Sequence, residues 1–344
     1  MSEQQVSASS PTADESSRVE KQDAASGSRR SGFLSGAAGR NLGLVVALLL
    51  LCVVGFATAG ERFASVSNLM TILSLGSVLG VVSIGMTFVI TTGGIDLSVG
   101  SVLGLASVWA TTLATQSYGW PVMVLCALAV GLGAGLINGV IIAYGKVVAF
   151  IATLAMLVAA RGLAELIAQR RTQIVSEQAF NDVFRGDLLG VPKVVWIFAV
   201  VAVLGWFLFN RTTFGRRTVA IGGNPEAARL AGIKVKRHLM YVYALSGLTA
   251  GIAGVMILAR TSAGASTNGL LIELDAIAAV VVGGTLLAGG RGTIVGTVIG
   301  VLIFTTLTNV FILNNVDSSI QQIARGAIIV GAVLLQQRLA RRTT

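Results

Sequence analysis

Asp96 is the one charged residue between Asn68 and Ser117, a stretch of 50 residues. Beside it Thr91, Thr92 and Ser98 supply hydroxyls, and Gly93 and Gly94 supply backbone without side chains. A carboxylate among hydroxyls can hydrogen-bond a polar solute. It can equally cap the start of a helix by accepting from backbone N–H groups, and the residues leave both roles open. Either role must offset the roughly 2.5–3.5 kcal/mol that a carboxylate costs at the centre of a membrane helix. Bond-making chemistry finds no such foothold. The chain has one histidine, His238, and two cysteines, Cys52 and Cys126, which lie inside apolar runs and read as packing residues. No metal-ligating cluster and no nucleophile with its base stands out, so catalytic residues and a metal site are not expected.

A second group sits in a basic loop at residues 211–238. Asn224 followed by Pro225 fits an N-cap with proline at the first helical position. Glu226 suits the positive end of that helix, and Gly232 suits its stop. Ala227, Ala228 and Ala231 give a smooth face, while Leu230 and Ile233 are apolar knobs. Such a helix can dock into a groove of another protein or lie on anionic headgroups. The nearest approach to a phosphate-binding loop runs from Gly139 to Gly145-Lys146-Val147. It has five intervening residues where four are needed and no Ser or Thr after the lysine, so no ATPase is expected within this chain.

The elements that must position these residues follow from composition. Of 344 residues 54% are hydrophobic and 12% charged, and the mean hydropathy is +0.83. A soluble domain is about a quarter charged, so this reads as an all-α integral membrane protein and excludes a soluble enzyme or a disulfide scaffold. Residues 1–40 balance five acids against five bases and read as a disordered tail; residues 41–340 read as one transmembrane domain. A single helix over 50 residues would measure about 75 Å, more than twice the hydrocarbon thickness, so 68–117 must break, and Thr91-Thr92-Gly93-Gly94 is the place. Further runs at 42–59, 121–144, 147–169, 194–210, 240–258, 276–288, 293–313 and 320–339 bring the count to about ten spans. With the N-terminus inside, 17 bases fall on inner segments and 6 on outer ones, so both termini are expected to be cytoplasmic. The net charge of +10 then records topology, and no nucleic-acid partner is expected.

Gly93-Gly94, Gly100 and Gly104 recur at an offset of 196 as Gly289-Gly290, Gly296 and Gly300. This is either a repeated helix break around a pathway or a coincidence in a chain with 42 glycines. Glycines four apart at 131, 135 and 139 and at 247 and 251 predict close helix packing. Arg161 and Glu165 are four apart and are expected to pair along one helix face. Arg325 has no local partner and is left between snorkelling and Glu273 or Asp275. His238, at a helix end, reads as solvated or capping. Arg170, Arg171 and Arg185 lie on an expected outer loop against the orientation rule, so they are expected to meet acids on an extracytoplasmic partner.

Several motifs then carry a resemblance. Glu226-Ala227-Ala228 with Gly232 is similar to the EAA-type loop through which ABC importer permeases contact their ATPase. Thr91-Thr92-Gly93-Gly94-Ile95-Asp96-Leu97-Ser98-Val99-Gly100-Ser101 resembles a signature of the ribose/xylose/galactose-type sugar permeases. So does the run from Glu273 to Thr285, continued by Leu287-Ala288-Gly289-Gly290, and so do Ala149–Leu154 and Gly222-Gly223-Asn224. The resemblance covers about residues 42–340. It implies a fold like that of vitamin B12 importer permeases, with ten spans in a bacterial inner membrane. It implies a second permease copy, a cytosolic ABC ATPase that brings ATP and magnesium, an extracytoplasmic sugar-binding protein, and no cofactor in this subunit. Asn224, Glu226, Ala227, Ala228, Leu230 and Gly232 would then couple to the ATPase. Thr91, Thr92, Gly93, Gly94, Asp96 and Ser98 would line the sugar's path. An ion-coupled secondary transporter is the competing reading, with Asp96, Arg161 and Glu165 as coupling charges.

Overall fold

Apolar runs free of proline satisfy their own backbone hydrogen bonds as helices, which is how one segment enters a bilayer without stranding polar groups. The computed structural model describes residues 37–341 and is helical almost throughout; the tail expected at 1–40 lies, up to residue 36, outside the described residues. Helix α1 (Ala37–Ala59), one turn of α2 (Glu61–Ala64) and α3 (Val66–Thr91) lead to the first break. Then come α4 (Val99–Ala110), α5 (Leu113–Gln116), α6 (Trp120–Ala143) and α7 (Ala149–Ala168). The next loop holds β1 (Gln173–Ile174), α8 (Gln178–Phe184), β2 (Asp187–Leu188) and β3 (Val191–Pro192). Beyond it run α9 (Lys193–Arg211), α10 (Thr213–Gly223), α11 (Pro225–Leu230), α12 (Val235–Thr261) and β4 (Ala263–Gly264). The second break separates α13 (Ile272–Val282) from α14 (Ile294–Leu313), and α15 (Ser318–Arg341) ends the described chain. The strands are two-residue pairs: β1 runs antiparallel to β4, and β2 to β3.

Each expected span has a helix, but seven of them are long and apolar enough to cross a membrane among the described residues. The shortfall has three sources. Helix α4 has 12 residues and α13 has 11, so each measures about 16–18 Å against a hydrocarbon core of about 30 Å. Helix α15 has 24 residues, but Gln321, Gln322, Arg325 and Gln336-Gln337-Arg338 dilute its apolar character.

From Leu44 onward the chain is one compact unit. Helices α3 and α12 are its interior, buried over most of their length, whereas α7 and α9 expose most of theirs. The glycine rows do what their spacing implies. A Cβ on Gly247 would stand 2.8 Å from Gly135 Cα, and one on Gly139 2.7 Å from Met240 Cα. Only hydrogen fits there, so α6 and α12 touch backbone to backbone. Helix α3 is held to α14 by polar pairs inside the bundle. Asn68 and Asn309 each donate Nδ2 to the other's Oδ1, at 3.1 and 2.7 Å, and the Thr87 and Thr297 hydroxyls lie 2.8 Å apart.

Candidate functional site at the paired helix breaks

The first break forms because Gly93, at φ +83°, accepts a left-handed conformation that costs a side-chain-bearing residue roughly 1–2 kcal/mol. Gly93 donates its N–H to the Ile90 carbonyl at 2.9 Å and Gly94 to Val89 at 3.1 Å, closing the end of α3. The second break repeats the device: Gly284, Gly289 and Gly290 lie at φ +90°, +86° and +77°. The two breaks meet. The Gly290 N–H donates to the Thr91 carbonyl at 2.9 Å, and a Cβ on Gly289 would lie 2.9 Å from the Gly93 nitrogen. Positions separated by 196 residues thus become one junction.

The end of α10 wedges into that junction. A Cβ on Gly289 would also be 2.8 Å from the Gly222 carbonyl oxygen, and one on Gly290 3.0 Å from Gly223 Cα. Immediately beyond, Asn224 caps α11: its Oδ1 accepts from the Glu226 and Ala227 N–H groups at 3.0 and 2.9 Å. Pro225 is the first helical residue, and Gly232 turns the chain at φ +82°. Ala228 is buried, while Glu226, Ala227 and Leu230 are exposed; Leu230 shows 76% of its surface. Glu226 pairs with Arg229, whose Nε lies 3.0 Å from Oε2. The Arg229 hydrogen bonds hold the Glu226 carboxyl below the usual carboxylate range. One or two residues of chain therefore separate an exposed helix from the meeting point of both breaks.

Asp96 stands just before α4 and is 1% exposed. Its Oδ1 accepts from the Ser98 N–H at 3.0 Å and the Ser98 hydroxyl at 2.6 Å. Its Oδ2 accepts from the Ser246 hydroxyl at 2.8 Å. Asn138 Nδ2 donates to Ser98 Oγ at 2.9 Å, so α6 and α12 both reach this turn. The Thr91 hydroxyl bonds the Thr87 carbonyl at 2.6 Å, and that of Thr92 bonds Val89 at 2.7 Å. Thr91 is buried and Thr92 half-buried. The hydroxyls and the carboxylate are hydrogen-bonded within the protein, and the group gathers around the break.

Two expectations about charged and titratable residues need correction, and a third that was left open is decided. Arg161 does not pair with Glu165. Its Nη1 donates to the Asn268 carbonyl at 3.2 Å, and Glu165 faces Arg170 at 3.5 Å, because the loop after α12 offers Arg161 a carbonyl that its own helix cannot. His238 is buried, not solvated; its Nε2 lies 2.8 Å from the Thr218 hydroxyl, joining α10 to α12 beneath Phe214. Arg325 reaches Asp275 Oδ2 at 3.0 Å and Thr308 Oγ1 at 3.2 Å, choosing between the two acids left open. Arg170, Arg171 and Arg185 are all exposed. Asn138 and Ser246 went unnoticed in the sequence. A polar residue inside an apolar run signals a buried partner, and for Asn138 that signal was present.

The family model for the branched-chain amino acid transport system / permease component matches residues 68–334. The chain is 42% identical over 299 residues to the ribose import permease protein RbsC of Escherichia coli (strain K12), covering 86% of this chain and 92% of that one. It is 39% identical to RbsC of Bacillus subtilis (strain 168), covering 86% and 91%. It is 36% identical over 295 residues to the L-arabinose ABC transporter permease protein AraH of Azospirillum brasilense, covering 86% and 87%. No solved structure matches. The relatives are permeases of the kind the break and loop motifs resemble, and both breaks and the α10–α11 loop fall inside the matched region. This chain belongs to the family of the branched-chain amino acid transport system permease component.

Proposed function

We propose that the chain is the membrane permease subunit of an ATP-driven importer that carries a monosaccharide of pentose or hexose type across the bacterial cytoplasmic membrane. In this reading all ten helical segments embed in the bilayer, the short α4 and α13 as half-spans, in a fold like that of the vitamin B12 importers, with both termini cytoplasmic. A second copy completes the pathway, a sugar-binding protein delivers solute from outside, and Arg170, Arg171 and Arg185 receive it. Cytosolic ATPase subunits hold ATP and magnesium and act on α11. This subunit needs no cofactor and performs no catalysis.

One observation carries the reading: Gly290 of the second break bonds Thr91 of the first where Gly222 and Gly223 of α10 pack against both. A push on α11 therefore reaches the two breaks together, and opening or closing that junction would alternate access. Relatives named for ribose and L-arabinose import support the solute class. The test is uptake of a labelled pentose by cells with the complete transporter. Uptake should stop on ATP depletion and persist with an uncoupler; loss with the uncoupler while ATP is maintained would favour the ion-coupled alternative.

A further inference from the structure

Two of the concavities among the described helices differ in the chemistry of their linings. The larger, of about 460 Å³, lies between α4, α6 and α7 and is walled by residues such as Trp109, Cys126, Val130 and Met156. Its lining is almost wholly apolar and poorly suited to a hydroxylated solute. The smaller, of about 230 Å³, lies among α3, α12, α13, α14 and α15 and contains Arg260, Asp275, Arg325 and Thr308 opposite Leu75, Leu79, Ile257 and Phe304. Its volume falls below the about 300 Å³ at which pockets for drug-sized ligands begin, which suits a single small ring.

The polar wall is unusual for groups so placed. Arg325 and Asp275 neutralise one another at 3.0 Å, each with about a quarter of its side-chain surface exposed. Yet Arg325 Nε is buried without a hydrogen-bond partner. Asp275 Oδ1 accepts no hydrogen bond, and Arg260, an exposed residue at the cavity's edge, makes neither a hydrogen bond nor an ion pair, among the described residues. Unused donors on Arg260 and an unused acceptor on Asp275 belong to residues that line the same small volume. Of these groups the enclosed Arg325 Nε carries the cost of a buried unpaired donor, roughly 1–3 kcal/mol or more for a charged group, while the Arg260 and Asp275 groups are open to a ligand. A vicinal diol supplies both an acceptor and a donor, and the apolar wall suits the C–H face of a sugar ring.

The cavity is also remote from the junction of the breaks. Arg260 lies one residue from the end of α12, which starts beside α11; Asp275 lies in the first turn of α13; and Thr308 lies in the last two turns of α14. The geometry points to a solute subsite in the half of the permease far from α11, in which Arg260, Arg325 and Asp275 bind the hydroxyls of a neutral monosaccharide against Phe304 and Leu79. The inference rests on the proposed monosaccharide importer and adds to it where the sugar is held before the breaks open.

The test uses the complete transporter in proteoliposomes, with Cys52→Ala, Cys126→Ala and Leu75→Cys in the permease, and a water-soluble methanethiosulfonate reagent as probe. Leu75 lines the cavity without belonging to its polar wall. Millimolar ribose should slow modification at position 75 severalfold. Adding Arg260→Gln should raise the ribose concentration for half-protection by about tenfold or more, the scale of a lost hydrogen bond to a charged group. ATP-driven ribose uptake is measured alongside, in proteoliposomes holding the transporter with the unsubstituted permease. Uptake without protection overturns the subsite and leaves the importer reading standing, whereas absence of uptake of ribose and other monosaccharides overturns both. Protection by inorganic phosphate at lower concentration than by ribose would overturn the neutral-solute assignment.

Discussion

Asp96 accepts three hydrogen bonds while almost fully enclosed, so its replacement separates a cap from a pathway residue. Asp96→Ala leaves the Ser98 and Ser246 donors without an acceptor and should destabilise the permease by roughly 2–4 kcal/mol, read as a lowered unfolding midpoint in detergent. Asp96→Asn keeps one carbonyl oxygen for Ser98, and the Ser246 hydroxyl can rotate to accept from the new amide. Its stability should therefore stay near wild type. If its sugar uptake and ATPase coupling also stay intact, the residue is a cap alone. Thr218 and His238 behave alike on a smaller scale. Thr218→Val removes the partner of a buried imidazole nitrogen and should cost about 1–3 kcal/mol by the same measurement. Exposed Glu226 gives a pH signature instead. Arg229 depresses its carboxyl, so the pair persists through the usual carboxylate range and is lost only as pH falls through the lowered value. Carbodiimide labelling of Glu226, followed by mass spectrometry against pH, should shift to higher pH in Arg229→Gln; an unmoved profile would refute the pairing.

At the scale of elements, the junction of α10 with the two breaks makes the sharpest demand. Gly290 has φ +77°, and a Cβ there would press on Gly223 Cα at 3.0 Å. Gly290→Ala therefore combines a left-handed penalty of about 1–2 kcal/mol with a wedge between break and loop. It should leave the ATPase able to bind and hydrolyse ATP yet reduce sugar uptake at least tenfold. Gly223→Ala is the comparison: its Cβ meets nothing within 4 Å, so uptake should stay within about twofold of wild type. Asn224→Ala removes the acceptor for two backbone N–H groups and should weaken α11 by about 1 kcal/mol, read as a lower affinity for the ATPase subunit. The cap of α11 was legible from Asn224-Pro225-Glu226 because a cap is chemistry within four residues. The Arg161 partner was not legible, since a four-residue spacing describes only one helix while the acceptor that Arg161 found lies on a loop 107 residues away.

For the molecule as a whole, topology is the testable property. Single cysteines at Arg229 and Leu189, both on exposed positions, should be labelled by a membrane-impermeant maleimide from opposite sides in intact cells and in inverted vesicles. Arg229→Cys should react only from the inner side and Leu189→Cys only from the outer. Labelling of both from one side would mean that the chain crosses the membrane a different number of times between them.

Composition, hydropathy and local motifs alone determined that this chain belongs in a membrane as a helical bundle, roughly where its helices lie, where the first break falls, and which loop carries a capped helix. Each of these is set by a contiguous run of residues: apolar length against bilayer thickness, a left-handed glycine, an asparagine before a proline. Only the tertiary structure decided that the two breaks are one junction, that Gly222 and Gly223 sit within it, that His238 answers Thr218, and that Arg325 answers Asp275. Those pairings join residues from 20 to about 200 positions apart. Their choice depends on how half-length helices such as α4 and α13 pack against α3, α12 and α14, a balance of many small contacts that no local spacing records.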